Sequence, residues 1–273
     1  MLKGEKERPF ALRLLRGVMH TMDTINRTVF GNPFFALREA EVLLRRMHGL
    51  QGFDLIRAAL AENGGTTINT EGLEHIPRTG GVVIVSTHST GFFDFLIHGG
   101  ALVEVRPDLR VVANKETEAF LGSGLIVPVM FNAAAHVTSG EATQAAMIEH
   151  VEKGGALIVF GSGHVANRKD GKLFEPVWRK GATRCSIATG CPIIPAAVNS
   201  GNSDAYYRTR AIAKFLTGGS EALGERIGTL RYLSEVIVKL GGEFEVRYGS
   251  PLPSGTRPQE LKEAAQALVP DLY

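Results

Sequence analysis

A histidine and an aspartate six positions apart, His88 and Asp94, follow an apolar run of strand type, GVVIVS over residues 81–86. The stretch that joins them, THSTGFFD over 87–94, carries Gly91 near its middle, where a tight turn can bring the carboxylate back onto the imidazole. A histidine held this way takes a proton from a hydroxyl near neutral pH. Its acidic partner orients the ring and stabilises the imidazolium, and such a base typically contributes about 10²–10⁴ in rate. No serine or cysteine stands in a recognisable nucleophile setting, so the proton is expected to come from the substrate. Plainer roles are open too. Asp94 can cap a helix starting near Phe95, and His88 can be a hydrogen-bonded histidine at a strand end. His98 lies four residues after Asp94, but one His–Asp pair without a third clustered ligand does not make a zinc site, and no metal is expected.

A second strand-like run, ALIVF over 156–160, delivers the glycine-rich turn GSGHVA over 161–166. Backbone amides around Gly161 and Gly163 can cradle a phosphate or an oxyanion, because glycine permits close approach and unusual dihedrals. Gly161, Gly163 and Ala166 also fit a loose dinucleotide fingerprint. That reading needs a helix at once afterwards and an acidic residue about 20 positions on. The loop-like NRKDGKLFEP follows instead, which leaves a dinucleotide-dependent oxidoreductase as the alternative. Lys115, at the end of VVANKE, is the best single candidate for a phosphate contact. Arg179, Lys180 and Arg184 are candidates for an anionic donor or for a solvated helix face.

Residues 81–99 resemble the first motif of the glycerolipid acyltransferases, the family of 1-acylglycerol-3-phosphate acyltransferase. Most members place four residues between the histidine and the aspartate. This chain has five, Ser-Thr-Gly-Phe-Phe, similar to the ornithine-lipid and hemolysin-like branch. The family's third motif, Phe-Pro-Glu-Gly, is Phe160, Gly161, Ser162, Gly163 here, and His164 and Val165 replace the usual threonine and arginine. PIIPAAV over 192–198 resembles the fourth motif, with WRKGATRCSIATG before it. VVANKE resembles the approach to the second motif, whose arginine has no counterpart in 128–135. The likeness spans residues 71–203.

The resemblance implies an O-acyltransferase that moves a fatty acyl group from a thioester of coenzyme A or acyl-carrier protein to a lysolipid hydroxyl. His88 would be the general base and Asp94 its orienting partner. Gly91, Lys115, Ser162, Gly163 and His164 would contact substrate. No cofactor is implied beyond the thioester co-substrate. The altered third motif also admits a lipid-binding member of the same fold that has lost the chemistry.

With 273 residues, 44% hydrophobic and 21% charged, the chain suits one large α/β domain plus a helical extension. A net charge of +2 gives no argument for nucleic acid. Cys185 and Cys191 lack metal-type spacing and read as reduced thiols. No secretory signal opens the chain and no uninterrupted apolar run of about 20 residues is present, so the expected location is cytoplasmic, peripheral to the inner membrane face.

Residues 1–65 are expected to be helical, over 10–22, 34–47 and 54–62. Over the first thirty residues Lys3, Lys6, Arg8, Arg13, Arg16 and Arg27 outnumber Glu5, Glu7 and Asp23 by three. A basic amphipathic helix can rest on an anionic bilayer or pack its leucines on the main domain. From residue 66 to 273 strands and helices interleave. Strands are expected at 82–86, 109–113, 126–131, 156–160, 193–198 and 244–248, and helices at 95–105, 117–121, 141–152, 179–189, within 211–240 and at 258–269. This pattern predicts a mostly parallel sheet flanked by helices, with chemistry at the carboxyl ends of strands.

Overall fold

A computed structural model describes residues 10–31, 33–129, 131–132, 137–138, 140–216, 218–219 and 231–273. Lys3, Lys6 and Arg8, and part of the helical region expected within 211–240, lie outside the described residues. In chain order the elements begin with helices α1 (Phe10–Phe30), α2 (Leu37–Arg46) and α3 (Gly52–Leu60). Then come β1 (Thr67–Glu71), β2 (Val82–Ser86), α4 (Phe92–Leu102), β3 (Arg110–Asn114), α5 (Glu118–Leu121) and β4 (Ile126–Val129). Two short strands, β5 (Phe131–Asn132) and β6 (Val137–Thr138), precede α6 (Gly140–Glu152) and β7 (Ala156–Phe160). The hairpin of β8 (Asn167–Lys169) and β9 (Lys172–Phe174) leads to α7 (Gly181–Thr189), β10 (Ile193–Val198) and α8 (Asp204–Leu216). Helix α9 (Tyr232–Lys239), β11 (Glu243–Tyr248) and α10 (Pro258–Ala267) complete the chain.

The chain divides into two compact units, Gly49–Asn202 with Leu240–Tyr273, and Met1–His48 with Ser203–Lys239. The larger unit is built on a seven-stranded sheet in the order β1-β11-β10-β2-β7-β3-β4. β10, β2, β7, β3 and β4 run parallel, while β11 opposes β10 and lies parallel to β1. Helices flank this mostly parallel sheet. The middle strands VVIVS and IIPAAV are buried along their whole length, as strands covered on both faces must be. On one face Val83, Val85, Leu157 and Ile193 pack with Met147, Val151, Ala182, Cys185, Leu261 and Ala265. Burial pushes the Cys185 thiol up to about 12, so it stays protonated. The edge strands differ: β1 is the polar and mostly exposed TINTE, and β4 contains Pro128.

In the smaller unit, α1 is polar on its inner side. Asp23 is buried and accepts the backbone N–H groups of Phe35 (2.5 Å) and Leu37 (2.8 Å) at the start of α2. Arg16 pairs with Glu41, and Arg27 with Glu39. Val18, Met22, Ile25 and Val29 of α1 are exposed. At 100° per residue these four fall within an arc of about 60°. Among the described side chains of α1, an apolar stripe thus faces outward.

Candidate active site

β2 ends at Ser86, and the chain turns through Thr87–Thr90 into α4. Gly91 makes that turn possible: its φ of 84° and ψ of −131° suit glycine alone. Gly91 is the N-cap of α4, and Asp94 occupies the third helical position, so the helix starts three residues earlier than expected and Asp94 is not its N-cap. The acidic side chain instead reaches back over the turn. Its Oδ2 accepts from Gly91 N (3.1 Å), Thr90 N (3.0 Å) and His88 Nδ1 (3.0 Å). Its Oδ1 accepts from the hydroxyls of Ser89 (3.1 Å) and Thr90 (2.5 Å). One carboxylate thus closes the first turn of the helix and fixes the histidine.

Burial alone would raise the Asp94 pKa. The hydrogen bond and charge of His88 and the donors of Thr90 outweigh it and hold the carboxyl below its usual range. An ionised carboxylate can only accept, so His88 Nδ1 carries a hydrogen, and in the neutral ring Nε2 keeps its lone pair. The imidazole stacks on Phe160, with centroids 4.1 Å apart and planes 22° from parallel. His88 is 15% exposed at its side chain, whereas Asp94 is sealed at 0%. The imidazole faces outward and its partner inward.

Behind the pair, His98 is buried between Ser86 Oγ (2.9 Å from Nε2) and the Tyr248 hydroxyl (3.1 Å from Nδ1). Burial drives its pKa down to about 4, against a smaller upward pull from Asp94. It is a neutral, satisfied histidine beneath the turn.

The glycine-rich turn after β7 lies beside the β2 turn, because Ser86 pairs with Phe160 in register. Three of its backbone donors are already bonded within the protein. Gly161 N donates to Ser86 O (3.1 Å), Gly163 N to Phe160 O (3.0 Å) and Ala166 N to His88 O (2.7 Å). Ser162 is buried, and its hydroxyl closes on His164 by donating to the carbonyl and accepting from the N–H. The cradle expected from the amides of Gly161 and Gly163 is therefore a self-bonded turn. Gly161 is needed for close approach, since a Cβ there would lie 2.0 Å from the Trp178 indole. What the turn offers outward is the His164 ring, with Arg179 Nη2 3.3 Å from its Nε2. Lys115 is exposed just past the end of β3, on the far side of β7 from β2. The helix demanded by a dinucleotide site is absent after Gly163; the β8–β9 hairpin stands there.

Three residues at the site carried no signal in the sequence reading. Glu175 is fully buried and its Oε1 accepts His88 N at 2.8 Å. Trp178 Nε1 donates to Glu175 Oε2 (2.7 Å) and the Tyr273 hydroxyl to Oε1 (2.6 Å). These contacts join segments 87 and 98 residues apart, which local spacing cannot reveal.

An α/β sheet with a histidine–carboxylate pair at a strand end has the groups that proton transfer needs, and comparison with known proteins gives the family. A family model described as acyltransferase matches residues 6–268. The chain belongs to this acyltransferase family. Among curated proteins it is 24% identical over 221 residues to a lyso-glycine lipid O-acyltransferase of Phocaeicola vulgatus, covering 79% of this chain and 74% of that protein. Among solved structures, the 1-acyl-sn-glycerophosphate acyltransferase PlsC of Thermotoga maritima aligns with a TM-score of 0.48 and 15% identity. That alignment covers 95% of this chain and 97% of PlsC, and it is too loose to argue from.

Proposed function

We propose that this acyltransferase moves a fatty acyl group from a thioester, of coenzyme A or acyl-carrier protein, to the hydroxyl of a lysolipid. The observation that carries the reading is the His88–Asp94 pair, 3.0 Å apart, with an outward imidazole whose Nε2 is free to accept. The acceptor hydroxyl hydrogen-bonds to Nε2. As its oxygen attacks the thioester carbonyl, the proton passes to the ring and the buried carboxylate stabilises the imidazolium. The tetrahedral intermediate then expels the thiolate, which takes that proton back from His88. Ester and thiol leave, and the enzyme is unchanged.

His164 and Arg179 are the groups best placed to meet an anionic head group or donor, with Lys115 beyond them and Gly91 shaping the turn. The glycine and serine of the turn, Gly163 and Ser162, contribute shape in this reading, not hydrogen bonds. For the acceptor, the five-residue spacing and the loss of the third-motif glutamate favour a monoacylated amino-acid lipid over lysophosphatidate. The name of the curated relative supports the same choice. The outward apolar stripe of α1 supports docking on a membrane surface, in keeping with a lipid acceptor. No described helix is long and apolar enough to cross a membrane.

The test is a panel: palmitoyl-coenzyme A and palmitoyl-acyl-carrier protein as donors, with lyso-glycine lipid, lyso-ornithine lipid and lysophosphatidate as acceptors, read by mass spectrometry. Wild-type protein should form a diacylated amino-acid lipid and His88→Ala should not. Full activity in His88→Ala would end the reading.

A further inference from the structure

Under the turn that carries His88 lies a buried carboxylate that the reaction above does not use. Glu175 meets three donors: the His88 backbone N–H, the Trp178 indole and the Tyr273 hydroxyl. Burying a carboxyl group is costly unless its partners are well placed. A main-chain carbonyl would satisfy a lone N–H without that cost. Here an acidic side chain is kept and met by three donors.

Each partner is itself fixed. Trp178 presses against Gly161, where no side chain fits. The segment bearing Tyr273 is tied to the hairpin, through Leu173 N to Leu272 O (2.7 Å) and through Lys172 Nζ to the carbonyls of Pro270 (3.0 Å) and Asp271 (2.9 Å). Lys262 Nζ donates to the main-chain carbonyl of Glu175 at 2.8 Å. His88 is consequently gripped at its N–H by Glu175 and at its C=O by Ala166 N, while Asp94 holds the ring.

We propose that Glu175, braced by Tyr273 and Trp178, is a positioning residue for His88: it fixes the main chain that aims Nε2 and adds a buried negative charge beneath the imidazolium. The proposal rests on His88 being the base. The charged and titratable groups around the two residues are Asp94 and His98 on the histidine side, and Tyr273 and Lys262 on the glutamate side. Removing the Glu175 charge takes away a counter-charge to the imidazolium, so His88 should titrate at lower pH.

The experiment compares wild type, Glu175→Gln and Tyr273→Phe, with His88→Ala to assign the His88 signal. ¹⁵N-histidine NMR reads the imidazole titration, and kinetics use palmitoyl-coenzyme A with lyso-glycine lipid. In Glu175→Gln, kcat per folded molecule should fall about tenfold or more with KM within about twofold, as expected for a misaimed reacting group. The His88 titration and the acidic limb of the kcat/KM profile should both move to lower pH. Tyr273→Phe, which deletes one brace and leaves the Glu175 carboxyl group in place, should lower kcat by a smaller factor with KM and the His88 titration little moved, and an unchanged kcat there overturns the proposal if Glu175→Gln fails to fold. A lowered melting temperature with unchanged kcat and unchanged His88 titration would overturn the proposal and leave Glu175 a structural residue. Full activity in His88→Ala would instead overturn the assignment of the base, a separate outcome.

Discussion

The imidazole of His88 lies nearly flat on the ring of Phe160, centroids 4.1 Å apart and planes 22° from parallel. Phe160 closes β7 in register with Ser86, the last residue of β2. Two adjacent strands thus supply the imidazole and the surface on which it rests. Such ring pairs are worth about 0.5–1.5 kcal/mol. Phe160→Leu should therefore keep the fold and lower kcat roughly two- to tenfold, measured under saturating donor and acceptor.

Asp94→Asn keeps the size of the side chain and loses the charge that fixes the tautomer and stabilises the imidazolium. By analogy with triads in which that partner is neutralised, kcat should fall about 10³–10⁴-fold with KM nearly constant. Asp94→Ala should also destabilise the protein by about 3 kcal/mol, because the buried donors of Thr90, Gly91 and Ser89 lose their acceptor. Chemical denaturation separates the two effects.

His98 makes stability fall with acidity in a defined window. Its pKa is about 4 in the fold and about 6.5 when unfolded. Between those values the unfolded chain binds the proton and the folded one does not, so stability decreases as pH drops from roughly 6.5 to 4. This one group accounts for about 3 kcal/mol of that loss. Below it, Asp94, whose folded pKa is depressed, adds a further loss as pH falls through its titration. In His98→Gln the slope between pH 6.5 and 4 should flatten markedly in urea titrations.

A methyl group at position 161 has nowhere to go. Its Cβ would sit 2.0 Å from the Trp178 indole, so Gly161→Ala should destabilise by at least about 3 kcal/mol, the upper range for overpacking. Trp178→Leu in the same chain should recover part of that loss, giving a non-additive cycle between neighbours.

Replacing the outward stripe of α1 by serine, at Val18, Met22, Ile25 and Val29, should weaken binding to vesicles of mixed neutral and anionic lipid at least about tenfold, since each buried apolar side chain is worth roughly 1.5–3 kcal/mol. Sedimentation of protein with vesicles measures it. Turnover of a short-chain, monomeric acceptor should be little changed.

How much of this could be read from the residues depends on where the information lies. β2, β7 and β10 end where expected, because continuous apolar runs bounded by glycine, proline and polar residues leave little choice. β1 was missed: TINTE has one apolar residue, and only its pairing with β11 makes it a strand. The β8–β9 segment reads as a loop in sequence, although Asp170-Gly171, both at positive φ, is a strong hairpin signal. The flanking residues were too charged to suggest it. At the site, the contact of His88 with Asp94 is local and follows from spacing and Gly91. The start of α4 was displaced because an aspartate at a third helical position looks, in sequence, like a cap. The grip of Glu175 and Tyr273 is invisible there, since it exists only once distant segments have been brought together.

Both rims of the seven-stranded sheet guard against extension. Along β4, Pro128 removes a hydrogen-bond donor, and along β1 the exposed row is threonine, asparagine and glutamate, with Glu71 salt-bridged to Arg247. A second copy meets no flat, greasy ladder on which to add a strand. At high local concentration, such molecules are protected from zipping into fibres.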